Sequence, residues 1–461
     1  MSDSRIGQGD LETRLAQWAA GLSLPDIPLP VQAMARTCMA DGLGVMLAGS
    51  ATAVFAQCAA LPRGRGPCAV ADGSDGADAR SAALLNGTAG HALDFDDTSY
   101  AGIVHGTAVV LPAVLAVAQE VDAGGARLLE AFVAGIEAEY ALGLALTDSL
   151  YGRGFWATAT LGVVGAAVGA AKLLGLDAAR MAHAVRLAAN LPIGLRVTHG
   201  ANAKPFLCGM AARLGVEAAQ AAGVGMAGQP GTFERPRGYA AALNDGTLDV
   251  SVPDALGRRY ALLDPGVAFK LWPLCSATQA AIEAVIALRA QHAWSLEQVE
   301  SVRCRGTALV VTSLPYFAPV TVAEAQFSMP FAVACTLLHG GVGLEQLNET
   351  TLADPALRQL MARVELVEDE ALAPAGGACP EAACVEIELS DGRRVSRTVL
   401  AATGMPQRPA SAAALREKFM ACATRVATEA DARGIWDRLQ SLECMPSVRR
   451  LLDRTASLER V

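Results

Sequence analysis

The stretch HALDFDDTSYAGIVHG, residues 91–106, gathers His91, Asp94, Asp96, Asp97, Thr98 and His105 within a single turn-sized segment. Only 18% of the chain is charged, so the density is local. Histidine is the side chain whose ordinary pKa lies near neutrality, which suits His105 to taking or giving a proton. Asp94 suits orienting such a group or accepting the proton itself. DFDDT also matches the D-x-D-x-T pattern of aspartate-dependent phosphatases, which needs Asp94 at the C-terminal end of a buried strand with Mg²⁺ at the carboxylates. The preceding LLNGTAGHAL is rich in small residues and makes a poor strand. A metal set of His91, Asp94, Asp96, Asp97 and His105 has no supporting ligand spacing nearby. The plainest alternative is a helix end whose aspartates cap the next helix.

Lysine usage gives a second signal. Of 37 basic residues only four are lysines, at 172, 204, 270 and 418. A compact ammonium donates to a carboxylate or transfers a proton where guanidinium stays charged. Lys204 opens KPFLCGMAARLG ahead of a helix, and Lys270 stands in FKLWPLCSATQ. Lys172 and Lys418 sit on amphipathic helices and read as solvated. Arg196 and His199, in GLRVTHGANAK, lie just upstream of Lys204 and offer further charge or a solvated loop. In the loop before QFSMPFAVACTLLHGG, Tyr316 reads either as a donor in a cleft or as an aromatic covering the core.

The elements that must position these groups are mostly helical. DLETRLAQWAAGL follows Asp10, an N-cap candidate, and the segments at 30–49, 79–93, 107–121 and 127–146 repeat apolar residues at helical spacing. Near residue 266 the texture changes. VESVRCRGTALVV (299–311) alternates as a strand does, and ACVEIELSDGRRVSRTVL (383–400) reads as a hairpin turning at Asp391-Gly392. Helices are expected at about 277–291 and 323–339, and helical pattern returns after about 410. The expected fold is mainly α: a large all-helical domain (1–267 and 404–461) with a smaller α+β lid domain inserted at 268–403. A cleft between them is the place for a ligand.

Bulk properties exclude several classes. A net charge of −9 argues against nucleic acid. The apolar run 158–176 is interrupted by Lys172 and is rich in alanine and glycine, as in a core helix rather than a membrane span. The first residues show no signal-peptide pattern. Eleven cysteines, an odd number without C-x-x-C, read as reduced buried thiols. A cytoplasmic protein is the expectation.

Taken together, NGTAGHALDFDDTSYAGIVHGTAVVLPA, GFWATATLG, AKPFLCGMAARLGVEAA, PGTFERPRGYAAAL, FKLWPLCSATQAAIEA and AEAQFSMPFAVACTLLHGG resemble the MmgE/PrpD family, in family order over most of residues 80–345. The family includes 2-methylcitrate dehydratase, cis-aconitate decarboxylase and iminodisuccinate epimerase. The resemblance displaces the phosphatase reading. It implies a homodimer with a lid, no obligatory metal or organic cofactor, and proton transfer at a carbon next to a carboxylate. It implies catalytic roles for Asp94, His105, Lys204 and Lys270, with Tyr316 the nearest match to a lid tyrosine. Thr98, Trp156, Arg196, His199, Ser276 and Gln279 are then expected to bind a small carboxylic-acid substrate.

The departures are specific. Trp156 stands where many members carry an active-site histidine, Ala277 and Gln279 where one or two histidines are usual, and Gln326 where a basic residue is usual. A tricarboxylate would lose several charge partners, and an unpaired buried carboxylate is costly. The expected activity is a cofactor-independent lyase, a dehydratase or decarboxylase, on a less anionic or more apolar acid packed against Trp156. An epimerase of a small dicarboxylate would instead exchange solvent deuterium into recovered substrate without making alkene. A non-catalytic binding member of the family would show ligand-induced stabilisation without product.

Overall fold

The computed structural model describes residues 10–146, 149–191, 194–373 and 380–454. The first nine residues and Cys379 lie outside that range.

Helices begin where the sequence supplies caps. The Asp10 carboxylate accepts the Thr13 N–H at 3.0 Å and starts Leu11–Gly21. Asp78 does the same for Ala79–His91 through Ser81. Leu29–Gly49, Gly106–Glu120, Gly125–Leu146, Ala157–Leu173 and Ala203–Gly223 follow. Their alanine and glycine content lets the backbones come close. Gly87 and Gly209 form a close crossing beside the acidic stretch: a Cβ on Gly209 would stand 2.2 Å from the Leu84 carbonyl oxygen, and one on Gly87 2.8 Å from the Gly209 Cα. This crossing brings the end of Ala79–His91 against the start of Ala203–Gly223.

Two large hydrophobic clusters and a small one around Phe95 make up the buried core of the described residues. One large cluster draws on residues 11–269 and 419–452, joining early and late segments of the described chain in a helical body. The other draws on residues 268–405. Its four-stranded sheet runs Val364–Glu368, Val299–Gly306, Ala383–Leu389, Arg394–Val399, with the first pair parallel and the others antiparallel. Gln279–Gln291 and Met329–His339 pack on this sheet and on each other. The two bodies meet at a short ribbon in which Thr98 and Ser99 pair antiparallel with Ala268 and Val267. Phe269 N–H donates to the Gly404 carbonyl at 2.9 Å, so the outgoing and returning chains are tied together.

Several expectations change. The strand expected at 299–311 ends at Gly306, because Thr307 caps a short helix, Ala308–Ser313. The helix expected at 323–339 is two pieces, Val322–Ala325 and Met329–His339. Ser328 caps the second, with Pro330 in its first turn, and the break releases Phe327. Gly340, at φ 85°, ends that helix as expected. Lys418 is not solvated: it is buried, 2.7 Å from Asp41, and donates to the Phe95 carbonyl at 2.8 Å. Lys172 is partly buried and donates to the Ala19 and Leu22 carbonyls. Among the described residues no single helix is long and apolar enough to cross a membrane, and Ala157–Leu173 is almost wholly buried.

Candidate active site

Asp94 follows the helix Ala79–His91 in the left-handed region, φ 46°, with its N–H donating to the His91 carbonyl. Such a backbone costs about 1–3 kcal/mol outside glycine and persists only where neighbours enforce it. The enforcing neighbours are the two selected lysines. Lys204 Nζ donates to Asp94 Oδ1 at 2.7 Å, and Lys270 Nζ to Oδ2 at 3.0 Å and to the Asp94 carbonyl at 2.6 Å. Burial alone would push the Asp94 carboxyl up. The ammonium groups of Lys204 and Lys270 outweigh it and hold the carboxyl well below the usual range.

Behind this carboxylate lies a relay. The neighbouring Asp96 sits 2.8 Å from His91 Nδ1, and His91 Nε2 is 2.5 Å from Lys204 Nζ. Burial, with Lys204 alongside, holds His91 neutral, its pKa down to about 4. The neutral ring therefore donates from Nδ1 to Asp96 and accepts from Lys204 at Nε2. His91, Asp96 and His105 also place one ligand atom each within 4.8 Å of one another. Both His91 nitrogens are engaged in the relay, however, so the arrangement is a hydrogen-bonded chain rather than an open ligand set.

His105 caps the approach from the other side. Its Nδ1 is 2.8 Å from the Asp97 carbonyl, which only accepts, so Nδ1 carries the proton and Nε2 is the basic nitrogen. Thr98 Oγ1 lies 3.2 Å from the same Nδ1. Trp156, 1% exposed, and Phe327 place their rings each 5.0 Å from Lys204 Nζ. The His199 ring stacks on Phe327 at 5.0 Å and is held neutral by burial and by Lys204.

Asp94, Thr98, His105, Trp156, His199, Lys204 and Ser276 thus line one cavity, at the junction of the two bodies. Its volume is about 30 Å³, room for a couple of waters. Lys270 supports it from behind Asp94. Three expected residues stand elsewhere. Tyr316 donates its hydroxyl to the His199 carbonyl at 2.8 Å. Arg196 lies over the Tyr151 ring and bonds the Tyr151 and Thr312 carbonyls. Gln279 spends its amide on the backbone of Leu271, Trp272 and Leu274, shaping the loop that carries Lys270. Tyr316 and Arg196 therefore clamp the two bodies together, and Gln279 holds a loop. Lining residues not foreseen from the sequence include Phe327, Tyr151, Cys275 and Glu381, and the relay role of His91 and Asp96 was not foreseen either. The break at Ser328-Met329-Pro330 was the available sign for Phe327; Glu381 had none.

The charges in this cleft nearly cancel: both ammonium groups pair with Asp94, Asp96 faces His91 and His105, and His91 and His199 are held neutral. At the junction of the helical body and the α+β body, the cavity thus sets two buried lysines, paired with one carboxylate, beside an imidazole. The chain belongs to the MmgE/PrpD family: the MmgE/PrpD N-terminal domain matches residues 13–250 and the C-terminal domain residues 272–443. It is similar to the cis-aconitate decarboxylase of Homo sapiens, 27% identical over 78% of this chain and 74% of that one. It is similar to the cis-aconitate decarboxylase-like protein oryM of Aspergillus oryzae, 26% identical over 96% and 97%. The cis-aconitate decarboxylase of Aspergillus terreus is 25% identical over 98% and 97%. These likenesses support a lyase acting on a small organic acid.

Proposed function

We propose that this protein is a cofactor-independent lyase that removes water or carbon dioxide from a small acid carrying fewer than three carboxylates. The observation that carries this reading is the pairing of both Lys204 and Lys270 with Asp94, next to the basic imidazole of His105. A carbon beside a carboxylate is a weak acid, because charge builds on the carboxylate oxygens as its proton leaves. The Lys204 ammonium, already oriented by Asp94 and His91, stabilises that charge without reorganising. His105 Nε2 takes or returns the proton at carbon. Lys270 keeps Asp94 ionised, so the carboxylate orients Lys204 rather than competing for protons.

Fewer than three carboxylates follows from the charge balance. No surplus cation lines the cavity among the described residues, and Trp156 and Phe327 offer apolar faces. Each further carboxylate would enter a desolvated site without a partner. Access for an acid requires the α+β body to act as a lid, since the closed cavity is too small. The Tyr316–His199 and Arg196–Thr312 contacts are the bonds that opening would break.

Incubation with a panel of mono-, di- and tricarboxylic acids, following alkene absorbance and carbon dioxide, tests the reading. Turnover of at least one mono- or dicarboxylate is expected; no binding and no turnover across the panel would defeat it. The family supports a homodimer, for which sedimentation should give twice the mass of the 47.5 kDa chain. Among the described residues ten cysteines are free and only Cys444 is exposed, which supports a reducing, cytoplasmic setting.

A further inference from the structure

The α+β body contributes one carboxyl group to the cavity that the proton-transfer scheme above does not use. Glu381 stands just before the strand Ala383–Leu389 and is 4% exposed. It lines the cavity from the side of the α+β body, whereas Asp94, His105 and Lys204 come from the helical body. Its partners are hydroxyls rather than a cation: Ser276 Oγ donates to Oε1 at 2.7 Å, and Tyr100 donates its hydroxyl to Oε2 at 2.6 Å. Thr307, which bonds the Pro380 carbonyl, fixes the turn that presents it.

A carboxyl group has about four acceptor positions, and these hydroxyls fill two. What remains suits a hydrogen-bond donor and repels an anion, strongly so in a desolvated space. We propose that Glu381 is a specificity-determining residue that receives a hydroxyl of the substrate and bars a further carboxylate from that position. This deepens the lyase reading and rests on it. It names the substrate class as a hydroxy acid with one or two carboxylates, and the reaction as dehydration.

The step balances with groups already in the cavity. His105 takes the proton from the carbon next to the carboxylate, and the C–H pair becomes the new C=C bond. The C–O bond breaks, and the hydroxyl, held by its own O–H on the Glu381 carboxylate, leaves as water with the proton that His105 took from carbon. His105 and Glu381 both end as they began. Burial pushes the Glu381 carboxyl up, and the Tyr100 and Ser276 hydroxyls pull the other way, toward the ionised form that receives the substrate hydroxyl.

The probes are racemic malate, succinate, citrate and cis-aconitate, with binding read by calorimetry and product by NMR. The wild-type protein is expected to bind malate at least ten times more tightly than succinate and to convert it to an alkene. In Glu381→Gln the malate-to-succinate preference should fall below about threefold, malate turnover should drop about 100-fold, and cis-aconitate should bind more tightly. An unchanged preference in a folded Glu381→Gln would overturn the proposal. If that variant does not fold, Glu381→Asp, which retracts the carboxyl, should weaken malate about tenfold and leave succinate unchanged; equal effects on both acids would overturn it. Carbon dioxide release from cis-aconitate by wild type and Glu381→Gln alike would leave the lyase reading standing and remove the role of Glu381. No binding of any of the four acids would remove both.

Discussion

At the scale of residues, the site is organised around one carboxylate and the two ammonium groups it orders. Lys204 and Lys270 announced themselves through composition, since lysine is rare in a chain that otherwise uses arginine. Asp94 and His105 did so through local density. The partners of His91 were harder to read: Asp96 is five positions on, but Lys204 is 113 away and arrives only through a helix crossing. Glu381 gave no sign, because an acidic residue ahead of a strand is ordinary on a surface. A substitution tests the assignment of the base. His105→Asn keeps a donor toward the Asp97 carbonyl and removes the basic nitrogen. It should lower kcat about 10²–10⁴-fold with little change in melting temperature. A loss below tenfold, in steady-state assays on an acid the wild type converts, would move the base role elsewhere.

At the scale of elements, glycine determines where the chemistry sits. Gly87 and Gly209 let two helices cross at backbone contact, and His91 and Lys204 stand at the ends that this crossing brings together. Gly209→Ala would place a methyl 2.2 Å from the Leu84 carbonyl oxygen and 2.4 Å from Thr88 Oγ1. Overpacking of this kind typically costs about 1–3 kcal/mol. The variant should melt several degrees lower and lose activity beyond its loss of folded protein. Gly223→Ala, at the far end of the same helix with only Leu176 at 3.6 Å, should do neither. Equal behaviour of the two variants in calorimetry and assay would show that the crossing does not position the site. Helix caps, the hairpin at Asp391-Gly392 and the return of the last helices to the first body were legible as local patterns. The parallel pairing of Val302–Gly306 with Val364–Glu368 was not, because partner choice between strands is settled by packing.

At the scale of the whole molecule, buried titratable groups make stability depend on pH in two opposed ways. Glu137 accepts the Ala261 and Leu262 N–H groups, yet burial pushes its carboxyl up to about 7. Its contribution is present below about 4.5 and is lost as pH rises toward 7. His91, held down to about 4, acts in the other sense: its contribution is present above about 6.5 and is lost as pH falls toward 4. Glu137→Gln removes the first term alone. Between pH 4.5 and 7, urea unfolding should show the variant gaining on wild type by up to about 1.4 kcal/mol per pH unit. Parallel curves would mean that Glu137 ionises as readily folded as unfolded. The sequence shows a change of texture at this scale, with helical pattern stopping near residue 266 and resuming after 410. The closure of the cavity was not legible there, because it depends on Phe327, Tyr316 and Arg196 meeting across the junction.

In the proposed reaction His105 moves a proton at a carbon beside a carboxylate, Lys204 stabilises the charge that builds there, and a leaving group departs from the neighbouring carbon. Proton NMR of the wild-type protein with the acid panel in D₂O reads both events together. New alkene resonances are expected from at least one mono- or dicarboxylic acid, abolished in Lys204→Met. Deuterium exchange into recovered acid without alkene would contradict a lyase in favour of an epimerase, and unchanged spectra with bound acid would contradict catalysis altogether.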